Sequence, residues 1–136
     1  MRQVAALRPE FVELMPATIE PAVLYVSMEH RVTKHLCASG CGEVVVLPLH
    51  PAQWRLTFDG EHVSLEPSVG NADLACRAHY FITKNEVRWA RPLSAKQGQV
   101  GRQRDVQAVI SVDAVRTAKD GASGSRPWWR RLLRLR

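Results

Sequence analysis

Three cysteines and one histidine form the clearest chemical pattern in this sequence. Cys37 and Cys41 lie on either side of the turn-forming Gly40, and Cys76 is followed by His79 after two intervening residues. Tetrahedral zinc binds four sulfur or nitrogen ligands, and paired ligands are commonly separated by about two to four residues. The pattern predicts a structural zinc site, since a full set of protein ligands leaves no open position for catalysis. The predicted ligands are Cys37, Cys41, Cys76 and His79. The alternative is three unrelated buried cysteines and a structural histidine.

A serine and a histidine could support nucleophilic catalysis. Ser68 lies in a Pro-Ser-Val-Gly-Asn segment, and His35 precedes the first cysteine by two positions. A serine hydroxyl that is hydrogen-bonded to an imidazole can attack an acyl carbon, and a carboxylate can orient the imidazole. Asp59 and Asp73 are candidates for that carboxylate. The competing interpretation is that Ser68 is an ordinary turn residue and that the histidine is structural.

The sequence leaves two further catalytic possibilities undecided, the oxyanion donors and the identity of the nucleophile. The backbone around Gly70 and Asn71 can supply N–H groups to a developing oxyanion if it forms a tight turn. Catalysis by a cysteine, with Cys37 or Cys41 as the nucleophile and His35 or His79 as the base, competes with zinc for the same thiols.

The elements that must position these residues are predicted to be mainly β. Residues 23–28 and 44–47 are short runs rich in branched residues, which favours strands. Residues 54–65 alternate apolar and polar positions around Asp59-Gly60, a pattern typical of a β-hairpin. Residues 79–89 predict a second hairpin, and 67–71 predict a loop between the two. The expected fold is a compact antiparallel β domain of the small α+β type, with a zinc knuckle.

Charge divides the chain into two parts. Residues 1–92 contain nine Lys and Arg against ten Asp and Glu, a net charge of −1, whereas residues 93–136 contain ten against three, a net of +7. The expected organisation is therefore a β-rich domain over 1–92 and a basic segment over 93–136.

The basic segment contains three kinds of sequence. Residues 94–104 predict a linker, and residues 105–119 favour a helix. Residues 126–136 hold five arginines and no acid, and as a helix they would place tryptophan and leucine on one face. This tail could contact an acidic protein or an anionic membrane surface. The alternative is a solubilising tail or an end that packs on its own domain.

Several protein classes are disfavoured by composition. No apolar run approaches the roughly 18 residues of a membrane-spanning helix. The first twenty residues lack the continuous apolar core of a signal peptide. We therefore expect a cytoplasmic protein, in which an odd number of cysteines does not indicate a disulfide framework. No recognised nucleic-acid-binding or nucleotide-binding motif is present, so no specific nucleic acid is expected as a partner.

Residues 24–89 resemble a family of small bacterial proteins encoded beside ubiquitin-like proteins, ThiF-type activating enzymes and conjugating-enzyme-like proteins. The resemblance rests on sequence strings within 24–29, 35–43, 48–60, 63–71 and 76–82. It covers about half of the chain and excludes the basic segment. The chain departs from the family at Ser39, where relatives often have cysteine, and at Ala78, where they often have serine.

The resemblance implies a role in a bacterial ubiquitin-like conjugation pathway. It points to a serine-type peptidase that processes the ubiquitin-like protein or removes it from targets, with Ser68 as nucleophile and His35 as base. It leaves the three cysteines and His79 to bind structural zinc. The expected partners are the ubiquitin-like protein and its activating and conjugating enzymes. The alternatives are a non-catalytic zinc-binding adaptor that docks pathway enzymes or targets, and a binding module tethered by its tail to a membrane or nucleic acid.

Overall fold

The computed structural model of the chain describes residues 2–70 and 75–122. In these ranges the protein has eight β-strands and one helix, arranged in two four-stranded sheets, so the prediction of a mainly β fold is confirmed. The first sheet has the order β1-β2-β3-β4, and the second has the order β5-β6-β7-β8. The elements are β1 (Arg8–Phe11), β2 (Val23–Ser27), β3 (Val32–Leu36), β4 (Val44–Pro48), β5 (Arg55–Phe58), β6 (Val63–Gly70), β7 (His79–Thr83), β8 (Glu86–Trp89) and α1 (Ala95–Ala122).

The two sheets share one hydrophobic core. Alternate residues of each strand point to opposite faces of a sheet, so one set of apolar side chains from each strand can be buried. In β4, for example, Val45 and Leu47 are buried, whereas Val44 and Val46 are about half exposed. The apolar run at 44–47 is thus a strand, as predicted, but only one of its faces is buried, because its other face lies away from the shared core. The buried core contains members of both sheets: Leu24, Val26, Val45, Leu47, Val63, Leu65, Val69, Tyr80, Ile82 and Val87.

The segment before β1 connects the two sheets. The N–H of Val4 donates to the carbonyl of Ala38 in the first sheet's last connection, at 2.8 Å. The N–H of Leu7 donates to the carbonyl of Asn85 at 2.8 Å, and the N–H of Val87 donates to the carbonyl of Ala5 at 2.9 Å. Residues before Phe11 are therefore part of the folded unit and cover the β8 side of the second sheet.

The strand β6 continues through the segment that the sequence predicted to be a loop. Leu65 pairs with Ile82 and Val69 pairs with Tyr80, so three residues of β6 face a single residue of β7. This bulge contains Ser68. Bulges bend a strand and redirect the side chains within it, and they are frequent beside active sites.

The helix α1 begins earlier than the sequence predicted. The linker expected over 94–104 is helical from Ala95 onward. Ser94 explains the start, because its hydroxyl accepts the N–H of Gln97 at 3.2 Å while the Gln97 side chain accepts the N–H of Ser94 at 3.0 Å. This reciprocal pair is a capping box, which favours helix initiation. Over the described residues, no helix is both long and apolar enough to cross a bilayer. The tail at 126–136 lies outside the described residues.

Candidate functional site

Ser68 and His79 are joined by a side-chain hydrogen bond. The Oγ of Ser68 lies 2.8 Å from Nε2 of His79. The other ring nitrogen, Nδ1, lies 2.8 Å from the backbone carbonyl oxygen of Arg91. Both side chains are partly buried, so the pair remains accessible from the surface.

The two contacts of His79 determine where its proton lies. A carbonyl oxygen only accepts hydrogen bonds, so Nδ1 must carry the hydrogen that is donated to Arg91. In a neutral imidazole Nε2 then has a lone pair, which can accept the hydroxyl hydrogen of Ser68. This tautomer is the one that a general base requires. The Arg91 carbonyl therefore occupies the position that an aspartate takes in a Ser-His-Asp triad.

Strand register brings the serine and the histidine together. His79 is the first residue of β7 and pairs with Gly70 of β6. Ser68 precedes that pair by two positions and lies within the bulge. A Cβ atom on Gly70 would come within 2.5 Å of Cδ1 of Leu93, so the glycine allows the chain after β8 to pass close to this site. That chain carries Arg91, whose carbonyl holds His79.

His35, which the sequence assigned as the base, lies in the core. It is fully buried, and its Nε2 lies 2.7 Å from the hydroxyl of Tyr80, whereas Nδ1 has no hydrogen-bond partner. Burial lowers the pKa of His35 to about 4, so the ring is neutral at pH 7. Thr33 and His35 lie on the same, inward face of β3 and are buried, as is Cys37 just after the strand. The alternation of the strand therefore places His35 among core residues. The structure thus pairs His35 with Tyr80, and it pairs Ser68 with His79.

Asp59, which the sequence assigned as a catalytic carboxylate, stabilises the turn between β5 and β6. Its Oδ1 accepts the N–H groups of Glu61 at 2.9 Å and His62 at 2.6 Å. These two backbone hydrogen bonds, that of His62 first, lower the pKa of the carboxyl group. A carboxylate at this position is a turn-forming residue. Its place next to Gly60 lies at the opposite end of β6 from Ser68. The other candidates Asn71 and Asp73 lie outside the described residues.

The three cysteines converge between the two sheets. Cys37 and Cys41 are in the connection between β3 and β4, and Cys76 is in the connection that leads into β7. Gly40 has a φ of +81°, and a Cβ atom there would lie 2.6 Å from the carbonyl oxygen of Arg2, so this turn requires glycine. Cys37 donates its N–H to the carbonyl of Glu43 at 2.8 Å, which closes the turn.

The spacing of the sulfur atoms fits a tetrahedral metal ion. All three Sγ atoms lie within 4.8 Å of one another, and those of Cys37 and Cys76 are 3.9 Å apart. Two thiolates bound to tetrahedral zinc at about 2.3 Å would be separated by about 3.8 Å. A disulfide would require about 2.05 Å. Burial raises the pKa of the Cys37 thiol, whereas the hydrogen bond with Ser39 lowers the pKa of the Cys41 thiol.

His79 is not part of this metal-ligand cluster. Among the described residues, the group that could hold a metal contains only the three cysteines. Both nitrogens of His79 are used, one by Ser68 and one by Arg91. The hydroxyl of Ser39 lies 3.2 Å from the Cys37 sulfur and accepts the N–H of Cys41 at 3.2 Å, which orders this side of the cluster.

The roles of His79 and the Arg91 carbonyl were not assigned from the sequence. The Cys-x-x-His spacing predicted His79 as a metal ligand. The same histidine also begins the alternating strand His-Tyr-Phe-Ile. In that strand Tyr80 and Ile82 point inward, so His79 and Phe81 share the outward face. That alternation was the available signal. A backbone carbonyl has no sequence signature, so Arg91 could not be found.

The chain matches the family described as bacterial ubiquitination-like system serine protease (BubE) over residues 11–90. Comparison with curated proteins and with solved structures gave no match. The matched range spans more than half of the chain and includes the Ser68–His79 pair and the three cysteines. It ends just before Arg91, and it excludes α1. This chain therefore belongs to the bacterial ubiquitination-like system serine protease family.

Proposed function

We propose that this chain is a peptidase that cleaves the bond following the C-terminus of a ubiquitin-like protein, either to process a precursor or to release a conjugated target. Ser68 is the nucleophile and His79 is the general base. The observation that carries the proposal is the 2.8 Å hydrogen bond between Ser68 and His79, with Nδ1 of His79 held by a carbonyl. Family membership supplies the class of reaction and the pathway.

In the acylation step, Oγ of Ser68 bonds to the carbonyl carbon of the substrate while its proton passes to Nε2 of His79. The resulting imidazolium donates through Nδ1 to the Arg91 carbonyl. It then returns the Nε2 proton to the leaving amine as the carbon–nitrogen bond breaks. The products of this step are an acyl-enzyme on Ser68 and a free amine.

In the deacylation step, His79 accepts a proton from water as the water oxygen attacks the acyl carbon. The proton then passes to Oγ of Ser68 as the ester bond breaks, and the ubiquitin-like protein leaves with a free carboxylate. The Arg91 carbonyl is neutral, so it stabilises the imidazolium less strongly than an aspartate would. Its main contribution is to fix the tautomer and the ring orientation of His79.

We further propose that Cys37, Cys41 and Cys76 bind zinc in a structural role. Bound zinc would supply a cross-link between the β3–β4 connection and the start of β7. Cys76 is three residues before His79, so this cross-link would fix the end of the strand that presents the base.

The test is cleavage of the ubiquitin-like protein of the same system, supplied both as a precursor with a C-terminal extension and as a conjugate. Ser68→Ala and His79→Gln are each expected to lower kcat/KM by about a thousandfold or more, because each removes one half of the nucleophile–base unit. Ser64→Ala on the same strand and His62→Gln in the β5–β6 turn are matched controls and should remain active.

Two results would count against the proposal. Full cleavage by Ser68→Ala would exclude the serine mechanism. Tight binding of pathway proteins with no cleavage of either substrate by the unmodified chain would favour the adaptor interpretation. Cleavage of the precursor alone would indicate processing, and cleavage of the conjugate alone would indicate deconjugation. Cleavage of both would indicate both activities.

A further inference from the structure

A surface groove lies beside β5 and is distinct from the Ser68–His79 pair. It encloses about 550 Å³ between the β2–β3 turn, the β4–β5 connection, β5 and α1. We call it the basic groove. Its apolar lining includes Met28, Leu49 and Trp54, and its basic lining consists of Arg31, Arg55 and Arg116 together with His50. None of the described residues that line it carries a carboxylate.

Two of the three arginines have no ion-pair partner among the residues that the structure describes. Arg55 forms an ion pair with Glu66, and His50 lies 3.1 Å from Asp113 of α1. Within the described ranges, Arg31 and Arg116 have no carboxylate within ion-pair distance. The groove therefore carries an excess of positive charge around apolar side chains. A ligand that matches it has carboxylates next to apolar groups.

The basic groove lies close to the catalytic pair along the second sheet. Arg55 pairs with Glu66 in the β5–β6 register, and Ser68 follows Glu66 by two positions. Ser68 lies in the bulge between Leu65 and Val69, so it follows this pair closely along β6. A protein bound in the groove can therefore extend a segment of chain to Ser68.

We infer that the basic groove binds an acidic surface of the ubiquitin-like substrate, one that carries apolar side chains, at a position away from the bond that is cleaved. This inference rests on the proposed function. The chain's own tail at 126–136 is a poor occupant by charge, because it holds five arginines and no acid. The apolar side chains of Met28, Leu49 and Trp54 in the groove favour a protein surface over a phosphate backbone, which offers no apolar groups.

The first experiment measures cleavage kinetics for Arg31→Glu, Arg116→Glu and the double variant. Each single variant should raise KM for the ubiquitin-like precursor about tenfold with kcat little changed, and the double variant should raise it further. Arg8→Glu on β1 reverses an exposed arginine outside the groove and should behave as the unmodified chain does. A double variant with unchanged KM would overturn the inference.

The second experiment separates this inference from the proposed chemistry. Labelling with a fluorophosphonate reports reactive Ser68 without any protein substrate, and the groove variants should label at the normal rate. Calorimetry with the ubiquitin-like protein then measures binding in the Ser68→Ala background, which does not depend on cleavage. There the charge reversals should weaken binding about tenfold each.

The outcomes can be told apart. Absent labelling with charge-sensitive binding would reject the serine mechanism and keep the groove. Normal labelling together with binding that is insensitive to the charge reversals would keep the serine mechanism and reject the groove. Binding of phosphatidylserine vesicles or duplex DNA through Arg31 and Arg116, with none of the ubiquitin-like protein, would also overturn the inference. An unchanged thermal midpoint confirms that the variants fold.

Discussion

The thiol cluster and the Ser68–His79 pair are built from neighbouring residues but by different means. The cluster joins two connections that belong to different sheets, so a metal ion bound there would make it a tertiary cross-link. The pair lies on adjacent strands of one sheet, and both ring nitrogens of its histidine have hydrogen-bond partners. The comparison teaches that a single Cys-x-x-His motif can serve two sites, with its cysteine in one and its histidine in the other.

The backbone explains how the motif divides. Cys76 lies in the connection before β7, and His79 is the first residue of that strand. Between them Arg77 has a positive φ of 46°, which turns the chain so that the two side chains separate. A compact zinc knuckle would have kept both residues on one centre.

The largest effect is expected from breaking the cluster. Cys76→Ser removes one metal ligand and frees the start of β7, so we expect loss of bound zinc, a lower free energy of unfolding by several kcal/mol, and loss of cleavage as a consequence. Metal analysis, chemical denaturation and the precursor assay measure these three quantities. Ser68→Ala is the opposite control, because it should abolish cleavage and leave zinc and stability intact. A stable, active Cys76→Ser protein would show that the pair does not depend on the cluster.

The sequence was informative for features that depend on local pattern. The hairpin at Asp59-Gly60 and the grouping of the three cysteines follow from residue type and spacing. The bulge in β6 does not follow from residue type and spacing, because it depends on the register in which β7 pairs with β6. For this reason residues 67–71 were predicted as a loop. The pairing of His79 with Ser68 depends on that same register. Ser94 and Gln97 form a capping box, which is a local sequence signal for the start of α1. The polar composition of the segment led instead to the prediction of a linker.

A second prediction separates the two histidines. His35→Ala should lower the free energy of unfolding by about 2–4 kcal/mol, because it leaves a cavity in the core and removes a partner of the buried Tyr80 hydroxyl. The cleavage rate per folded molecule should stay close to normal. His35→Gln, which retains a polar group for Tyr80, should recover part of the stability. A folded His35→Ala protein without activity would return the role of base to His35.

A smaller effect is expected from a change that disturbs the chain after β8, which holds the His79 ring. Gly70→Ala places a methyl group against Leu93, and Leu93 must shift to accommodate it. Since Arg91 is two residues earlier, the carbonyl that orients His79 should be slightly displaced. We expect kcat to fall about 3- to 10-fold with KM and zinc content unchanged. A fall in KM alone, or no change in either constant, would show that this segment does not control the ring.

The smallest expected change, that in the zinc content of a His79 variant, is the most direct test of the divided motif. His79→Gln should abolish cleavage and still bind about as much zinc as the unmodified chain, because neither ring nitrogen faces the thiols. Zinc content per chain and competition with a chelator give the comparison, with Cys41→Ser as the variant that should lose the metal. If His79→Gln loses zinc to the same degree as Cys41→Ser, then His79 is a fourth ligand and cannot also be the base. Retained zinc, by contrast, would mean that the three thiolates hold the metal without this histidine, which leaves its ring free to serve Ser68.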